Sequence, residues 1–186
     1  MEQLICRAMT VEDLHTGMMD SFDRRQEITQ VFCKRKLRQG LRIKRLRKPK
    51  FEDWPVEGKT KFIQGWFIYH VHMRQYYPGE PRVFAAFRGN QVAAFAVWDQ
   101  NENWKKEQGY AVLLRLFVSR ESRRQGLGRT LFELCAQAAR AEGAKKLYIS
   151  AEPAVESLKF YFSLGCHVAN ERVLGPKTDI PLEYML

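Results

Sequence analysis

The amino-acid sequence predicts a single α/β (α+β) domain with a mixed, mostly antiparallel central sheet and helices on both faces. The chain has 186 residues, of which 45% are hydrophobic and 28% are charged, a size and composition typical of one compact folded domain. Two strand-turn-strand patterns lie within the first 100 residues, and a continuously apolar strand at 110–118 is followed by an amphipathic helix. Such a strand is expected to be buried on both faces, so helices should cover both sides of the sheet.

Three elements are predicted before the central strands. A short helix begins at Thr10, where Asp13 completes a capping box. A hairpin follows over 27–47, because β-forming residues flank a Gln-Gly turn. After Trp54-Pro55, one long helix is expected to continue until Pro78. Its apolar residues at helical spacing are Phe62, Trp66, Tyr69 and Met73. The aromatic residues Phe62, Trp66, Tyr69 and Tyr76 either wall an acceptor pocket or, as we expect for most of them, belong to the core.

The second half of the chain alternates strands and helices. Two β-rich runs around Gly89-Asn90 predict a hairpin within 82–100. The run Tyr110–Val118 is too continuously apolar for a half-exposed strand and is expected in the middle of the sheet. The remaining elements are an amphipathic helix from Leu127 with its C-cap at Gly143, a buried strand over 145–151, a helix from Pro153 to Leu164 and a final strand over 179–186.

Charge and cysteine content narrow the classes of protein that fit. The chain has 31 Lys and Arg residues against 21 Asp and Glu, a net charge of +10, which favours acidic ligands such as phosphates, nucleic acid or anionic membranes. No apolar run approaches the ~20 residues of a membrane span, and charges near the N-terminus argue against a signal peptide. The four cysteines show neither disulfide-framework nor zinc-finger spacing. We therefore expect a soluble, cytoplasmic protein without a metal.

The most informative stretch is the turn between the apolar strand and the amphipathic helix. A helix N-terminus exposes unpaired N–H groups, and glycines let a phosphate approach them closely. Arg123, Gly126 and Gly128 fit such an anion cradle. Arg124 and Arg129 flank it, and guanidinium groups pair well with phosphate oxygens. The spacing is neither a dinucleotide fingerprint nor a nucleotide phosphate loop, so another diphosphate ligand is predicted. The simpler alternative is a helix entry where glycine avoids crowding and arginine aids solubility.

Two segments resemble those of a known family. The turn RRQGLG, Arg123–Gly128, resembles the [QR]xxGx[GA] signature of the GNAT N-acetyltransferase superfamily, whose members bind acetyl-CoA. The segment LKFYFSLGC, Leu158–Cys166, is similar to that superfamily's second signature segment, a helix bearing a tyrosine before a Leu-Gly turn. The resemblance extends from Arg82 to the C-terminus, and FDRRQE and FEDW are similar to a subgroup of uncharacterised bacterial members. It implies a GNAT-like domain over 1–186, with 1–81 as the variable acceptor side and 82–186 as the acetyl-CoA-binding part.

The resemblance also implies how the cofactor binds. Two adjacent parallel strands would splay apart, and the pantetheine arm of acetyl-CoA would lie in the gap like an added strand. Backbone groups of Leu116, Phe117 and Val118 would bond that arm. Around the diphosphate, the implied cofactor-binding residues are Arg123, Arg124, Gln125, Gly126, Leu127, Gly128 and Arg129.

The implied reaction is direct attack of a primary amine, expected to belong to a small molecule, on the thioester. A backbone N–H near Phe117 or Val118 would stabilise the oxyanion. Tyr161 matches the family position of the general acid that protonates the leaving thiolate. The alternative is that Tyr161 only packs among its aromatic neighbours.

This chain departs from the family pattern at two positions. Ala154 stands seven residues before the tyrosine, where many relatives carry Asn. Arg115 and its neighbours occupy the part of the central strand where many relatives place a carboxylate, so the base must come from elsewhere or be water. Glu152 is a candidate, although we prefer the explanation that it is a solvated carboxylate at a helix start. His70 and His72 lie two apart on a helix and face different ways, so a shared metal is not expected. One of them is a further candidate for deprotonating an ammonium substrate, although a histidine without a role on a helix surface is commoner.

The basic segment 34–50 supports a second hypothesis. It holds ten Lys or Arg residues without aromatic residues, which fits backbone-directed binding of nucleic acid on a catalytically silent fold. No helix-turn-helix, zinc-finger or RNP-like pattern accompanies it, and a solvated hairpin is the simpler interpretation. We rank this hypothesis below the acetyltransferase. The expected partners are thus acetyl-CoA and an amine acceptor, with no membrane, in a monomer or homodimer.

Overall fold

The computed structural model describes residues 4–34, 40–53, 65–72, 79–100, 109–170 and 175–186. Its strands are β1 (Ile5–Ala8), β2 (Gln26–Lys34), β3 (Leu41–Glu52), β4 (Val83–Arg88), β5 (Gln91–Asp99), β6 (Tyr110–Val118), β7 (Lys146–Ala151), β8 (His167–Val168) and β9 (Ile180–Met185). Its helices are α1 (65–72), α2 (Leu127–Ala141) and α3 (Val155–Ser163).

Within the described residues the main sheet has seven strands in the order β1-β4-β5-β6-β7-β9-β8. The pair β6 and β7 is parallel, and the other neighbours in this sheet are antiparallel. Strands β2 and β3 form a separate antiparallel hairpin. The predicted mixed, mostly antiparallel sheet is therefore confirmed, with β6 in its middle as the apolar run indicated.

Helices cover both faces of this sheet because successive strand residues point to opposite sides. On β4, Phe84 and Ala86 belong to the core beneath α2 and α3. Their neighbours Val83 and Ala85 belong to the core beneath α1, together with Phe67 and other apolar side chains. The apolar stripe of α2 packs onto β4, β5 and β6, which explains why this helix was predictable from periodicity alone.

Most local expectations are confirmed, and the differences have local causes. The capping box of Thr10 and Asp13 forms, but it closes a 3-10 turn of three residues rather than a longer helix. The 27–47 hairpin extends through β3 to Glu52. Strands β1 and β8 were not predicted, because four and two residues are too few to show an alternating pattern. Part of the segment that was predicted as one long helix, with Trp54-Pro55, Phe62, Met73, Tyr76 and Pro78, lies outside the described residues.

The buried face of α1 is not the one that the aromatic spacing indicated. Tyr69 is 60% exposed, whereas Phe67, His70 and Val71 are buried. The ring of Phe67 meets the ring of Phe95 on β5 edge-on, with centroids 4.9 Å apart. Tyr69 is therefore not part of the core. The spacing of aromatic residues does not show which face of the helix the sheet covers. In the described part of the chain, no helix combines the length and the apolar character that a membrane span requires.

Candidate active site

The two parallel strands at the centre of the sheet separate halfway along their length. β6 and β7 pair from Tyr110 opposite Lys146 to Leu113 opposite Ile149. Beyond that point β7 stays paired with β9, and β6 stays paired with β5. The splayed strand pair that the resemblance implied is therefore present, and it leaves one edge of residues 114–118 unpaired by β7.

A β-bulge accompanies the separation of the strands. Trp98 of β5 lies opposite Leu113, but the preceding Val97 lies opposite Arg115, so that Leu114 is an extra residue on β6. A bulge bends and twists its strand locally. The second half of β6 is consequently half-exposed instead of buried on both faces as the sequence suggested.

A cavity of about 1280 Å³ fills the gap and continues to the start of α2 and to α3. Among the residues that the sequence singled out, its walls include Leu116, Phe117, Val118, Arg123, Arg124, Gly126, Leu127, Gly128, Arg129 and Tyr161. Gln125 is not part of the wall, and its side-chain amide donates to the carbonyl oxygen of Glu121 at 3.1 Å. The structure thus brings the proposed cofactor edge and the proposed acid to one cavity.

The turn before α2 adopts a backbone suited to an anion. Arg124 and Gly126 both have positive φ, 63° and 81°, and left-handed residues in a turn help to gather N–H groups on one side. The first helical hydrogen bond runs from Thr130 N–H to Gly126 O at 3.1 Å, and no side chain caps the helix. The N–H groups of residues 127–129 therefore have no acceptor inside the helix, and the helix dipole adds positive potential there.

The two glycines of the turn have different reasons for being glycine. A Cβ on Gly128 would lie 3.2 Å from the ring of Phe160 on α3, so this glycine permits the close contact of the two helices. A Cβ on Gly126 would meet no atom within 4 Å, and there the positive φ is the constraint. The sequence analysis assigned both glycines to phosphate approach, and for Gly128 the structure adds a packing role.

The arginines also differ in their contacts. Arg123 donates from Nε to Val118 O at 3.2 Å and from a terminal nitrogen to Arg24 O at 3.1 Å. Burial lowers the pKa of its guanidinium. Arg129 reaches Ser163 O at 3.3 Å, while Arg124 is exposed at the cavity wall. Arg123 therefore fixes the end of β6 to the N-terminal segment besides facing the cavity.

Tyr161 lies on α3, half-buried, with its ring against Phe132 and Phe160 at centroid distances of 6.4 and 5.1 Å. Burial raises the pKa of its phenol above the ordinary value. Within the described part of the chain its hydroxyl has no hydrogen-bond partner, and the residue lines the cavity. A phenol that lines a cavity is able to donate a proton there, and the raised pKa makes this phenol a weaker acid than an ordinary tyrosine. Tyr161 therefore both packs against its aromatic neighbours and lines the cavity.

Two carboxylates of the cavity wall, Glu52 and Glu152, form a cluster with one ammonium group. Lys50 Nζ is 2.8 Å from an oxygen of Glu52 and 2.7 Å from an oxygen of Glu152. Arg24 lies 3.3 Å from the other oxygen of Glu52. Burial, and then the neighbouring Glu52, raise the pKa of Glu152. Burial would also raise the pKa of Glu52, but hydrogen bonds from Glu152 and Lys50, with the charge of Arg24, hold it below its usual value.

This cluster changes the interpretation of Glu152. It is not a solvated carboxylate at a helix start, because its side chain is 30% exposed and bound to Lys50 from β3. Sequence reasoning missed Glu52 and Arg24 as wall residues altogether. They reach the cavity from the N-terminal part of the chain. Arg24 lies in FDRRQE and Glu52 in FEDW, the two segments that the sequence showed only to be similar to a subgroup of the family. Those two segments were the signal available, but neither showed that its charged residue lines the cavity.

The position of Ala154 is also explained by the hairpin. Ala154 is fully buried and forms a backbone bridge with Val31 of β2, and Phe32 N–H donates to Pro153 O at 2.7 Å. The start of α3 is therefore held by backbone contacts with β2. His70 is buried beside Trp66, with ring centroids 5.3 Å apart. In the described residues, no three His, Cys, Asp or Glu side chains are grouped to hold a metal ion.

Comparisons with known proteins agree with this geometry. Residues 42–165, 124 of the 186 residues, match the family model described as Acetyltransferase (GNAT) family. No curated protein matches the chain. Nourseothricin acetyltransferase is a similar solved structure, with 16% identity, 98% of each chain covered and a TM-score of 0.69.

Two further solved structures contain a cofactor. A Bacillus anthracis str. Ames protein assigned as a streptothricin acetyltransferase, in complex with acetyl coenzyme A, has 16% identity over 99% of this chain and 98% of that chain, with a TM-score of 0.72. PaiA N-acetyltransferase from Thermoplasma acidophilum, in complex with coenzyme A, has 15% identity over 99% of each chain and a TM-score of 0.58. These structures confirm the predicted fold class, and the family model covers most of the sheet and the glycine turn. The chain therefore belongs to the GNAT family of acetyltransferases.

Proposed function

We propose that the protein transfers the acetyl group of acetyl-CoA to the primary amine of a small molecule. The observation that carries this proposal is the gap between β6 and β7, whose cavity is lined by both the glycine turn and Tyr161. An extended thioester carrier with a diphosphate at one end matches both features. The cofactors bound in the similar structures support the same ligand.

The pantetheine arm would lie along the unpaired edge of β6, where residues 114–118 present backbone donors and acceptors. The diphosphate would lie on the N–H groups that begin α2, with Arg124 and Arg129 beside it. This arrangement leads the thioester to the point where the two strands separate. A backbone N–H near Phe117 or Val118 would then face the carbonyl oxygen.

The reaction begins when the lone pair of the neutral amine attacks the thioester carbon. A C–N bond forms, and the carbonyl electrons move onto oxygen to give a tetrahedral oxyanion. When the carbonyl re-forms, the C–S bond breaks and the thiolate of coenzyme A leaves. Tyr161 donates its proton to that sulfur, and the nitrogen of the new amide gives up one proton. Direct transfer of this kind needs no covalent enzyme intermediate.

Glu152 is the side chain best suited to take the proton from the acceptor nitrogen. It follows the last residue of β7 at the mouth of the gap and lines the cavity. Its raised pKa makes it a stronger base than an ordinary carboxylate. Lys50 holds it in place from β3. The names of the nourseothricin and streptothricin enzymes support a small-molecule amine as the acceptor class.

The test is thiol release from acetyl-CoA by purified protein across a panel of amines. Tyr161→Phe should lower kcat about 10²–10⁴-fold, the usual range for loss of a general acid, with little change in acetyl-CoA affinity. Tyr184→Phe is the matched control, because its ring also meets Phe132, at 5.1 Å, but it does not line the cavity. Equal rates for the two variants would leave Tyr161 with packing alone.

A second candidate function, binding of a nucleic-acid backbone, is favoured by the exposed strand β3. Its cations Arg42, Lys44, Arg45, Arg47 and Lys48 are exposed and have no carboxylate partner among the described residues, whereas Lys50 does. Residues 35–39 of the basic segment lie outside the described residues. Binding to such a strip should weaken steeply as salt increases. No measurable binding of single- or double-stranded RNA or DNA at low salt would exclude it.

A further inference from the structure

Arg115 is a charged side chain in the middle of the sheet, on the wall of the cavity. Its partner across the ladder is Val97, and two residues further Phe117 lies opposite Phe95. Val97 and Phe95 both belong to the core beneath α1. Directly opposed residues of an antiparallel pair point to the same face, so Arg115 projects on the α1 side of the sheet. The bulge at Leu114 is what brings it to this face.

The contacts of Arg115 leave most of its hydrogen-bonding capacity unused. One terminal nitrogen donates to Leu114 O at 2.6 Å, and the guanidinium lies 4.5 Å from the ring centroid of Trp66. Among the described residues no carboxylate lies within ion-pair distance of it. Burial, and then the nearby charge of Arg24, lower the pKa of this guanidinium. A guanidinium has five donors, and a partly buried cation is stabilised by an anionic partner.

Arg24 presents a second guanidinium to the same cavity. It lies 4.6 Å from the ring centroid of Phe117 and contacts Glu52 at 3.3 Å. Each arginine thus rests on an aromatic ring, an arrangement that restricts the guanidinium plane. Two such cations close enough to repel each other favour a shared anion between them.

This pair is separate from the cradle assigned to the diphosphate. Arg115 lies three residues before Val118, about 10 Å along a strand, and the glycine turn lies beyond that strand end. The carboxylates Glu52 and Glu152 line the same cavity. An acceptor that contacts both the arginines and the carboxylates carries an anionic group and an ammonium group.

We propose that Arg115, assisted by Arg24, binds a carboxylate of the acceptor, so that the acetylated amine belongs to an amino-acid-like molecule. The inference rests on the proposed function, because it concerns the acceptor of that same transfer. Planar carboxylates pair with guanidinium in two-pronged geometry, which fixes orientation as well as affinity. The acceptor amine would thereby be held towards Glu152 and the thioester.

The first experiment compares matched acceptors at saturating acetyl-CoA by thiol release. Each amino acid is paired with the amine that lacks its carboxylate, such as lysine with cadaverine and phenylalanine with phenethylamine, and with its amide. We expect at least one amino acid to exceed its decarboxylated partner and its amide in kcat/KM by about 10–100-fold, the scale of one charge-assisted contact. Turnover of the decarboxylated amines and amides at equal or higher rates overturns the inference and leaves the acetyltransferase proposal standing.

The second experiment uses Arg115→Gln, with Arg140→Gln on the exposed side of α2 as the control. Arg115→Gln should raise the KM for the preferred amino acid about 10–100-fold and abolish the preference over its decarboxylated partner. The thermal shift produced by acetyl-CoA should not change. If acetyl-CoA binding falls as much as acceptor binding, Arg115 serves the cofactor and the inference is wrong.

A third measurement decides the inference even without turnover. Thermal shifts in the presence of coenzyme A are recorded for N-acetyl amino acids and for the corresponding N-acetyl amides. Stabilisation by the N-acetyl amino acids and not by the N-acetyl amides, lost in Arg115→Gln, supports the proposed carboxylate site. Equal shifts with acids and amides, or none with either, overturn it. Failure to bind acetyl-CoA or coenzyme A at all would instead count against the proposed function.

Discussion

Two glycines at opposite ends of α2 allow a direct test of the diphosphate site. Gly126 has φ 81° and Gly143 has φ 82°, and a Cβ on either would meet no atom within 4 Å. Gly126 lines the cavity and Gly143 does not. Alanine at each position therefore introduces the same backbone strain, but only Gly126→Ala changes the proposed phosphate cradle.

The expected magnitude follows from the backbone. A left-handed conformation costs an L-residue with a Cβ about 1–2 kcal/mol. In a chain of this length that cost lowers Tm by roughly 2–8 °C. Because φ and the empty surroundings are the same, Gly126→Ala and Gly143→Ala should lose similar stability without ligand.

Ligand-induced stabilisation separates the two variants. Acetyl-CoA at 100 times its Kd should stabilise the wild-type protein and Gly143→Ala by about 2.7 kcal/mol. If the added methyl group weakens binding tenfold, the same concentration stabilises Gly126→Ala by about 1.4 kcal/mol. Differential scanning fluorimetry measures the Tm without acetyl-CoA and the increase in Tm that acetyl-CoA produces. Equal ligand-induced shifts in the two variants would refute the assignment of the diphosphate to this turn.

Three other changes have outcomes fixed by the structure. Glu152→Gln should lower kcat about 10²–10⁴-fold. It should also remove the fall in rate at low pH, which in the wild type should occur above the ordinary carboxyl range because the pKa of Glu152 is raised. An unchanged fall in rate at low pH would assign the base to another group. Gly128→Ala should reduce Tm without ligand, because its Cβ would lie 3.2 Å from the Phe160 ring. An unchanged Tm would show that α3 shifts to accommodate the methyl group at no cost in stability. Burial would raise the pKa of Glu183, but hydrogen bonds from its neighbours outweigh it and lower that pKa, so the stability that its carboxylate contributes is present above the unfolded-state pKa and lost as pH falls through the folded one. Urea denaturation at several pH values should accordingly show the difference between wild type and Glu183→Gln shrinking on acidification, and a constant difference would contradict the assignment.

The apolar strand and the helix after it show how far local sequence reaches. The bounds of β6 are those of the apolar run. The helix α2 begins at Leu127 as predicted and ends at Ala141 with Glu142 as its C-cap, so that Gly143, the predicted C-cap, lies one residue further on. Both follow from local rules, since a continuous run must be buried and a periodic stripe must face a core. The two signature segments carried the family assignment for the same reason, because each is a contiguous stretch.

Contacts between residues far apart in the chain could not be predicted in this way. Lys50 and Glu152 are joined at 2.7 Å, and nothing in the segment around Arg24 indicates that this residue lines the cavity. The face of α1 that is buried, with Phe67 rather than Tyr69 inside, depends on where the helix meets β5. The sequence pattern alone does not show which of these residues come into contact.

The sequence by itself determined the order of the elements, the central strand, the helix start that can hold an anion and the family of the fold. Only the tertiary structure decided that a bulge at Leu114 turns Arg115 into the cavity and that the hairpin brings Glu52 to Glu152. Local spacing fixes each element because its backbone and burial are set by neighbouring residues. A site is fixed by how the elements pack, and the free energy of that packing is distributed over the whole core.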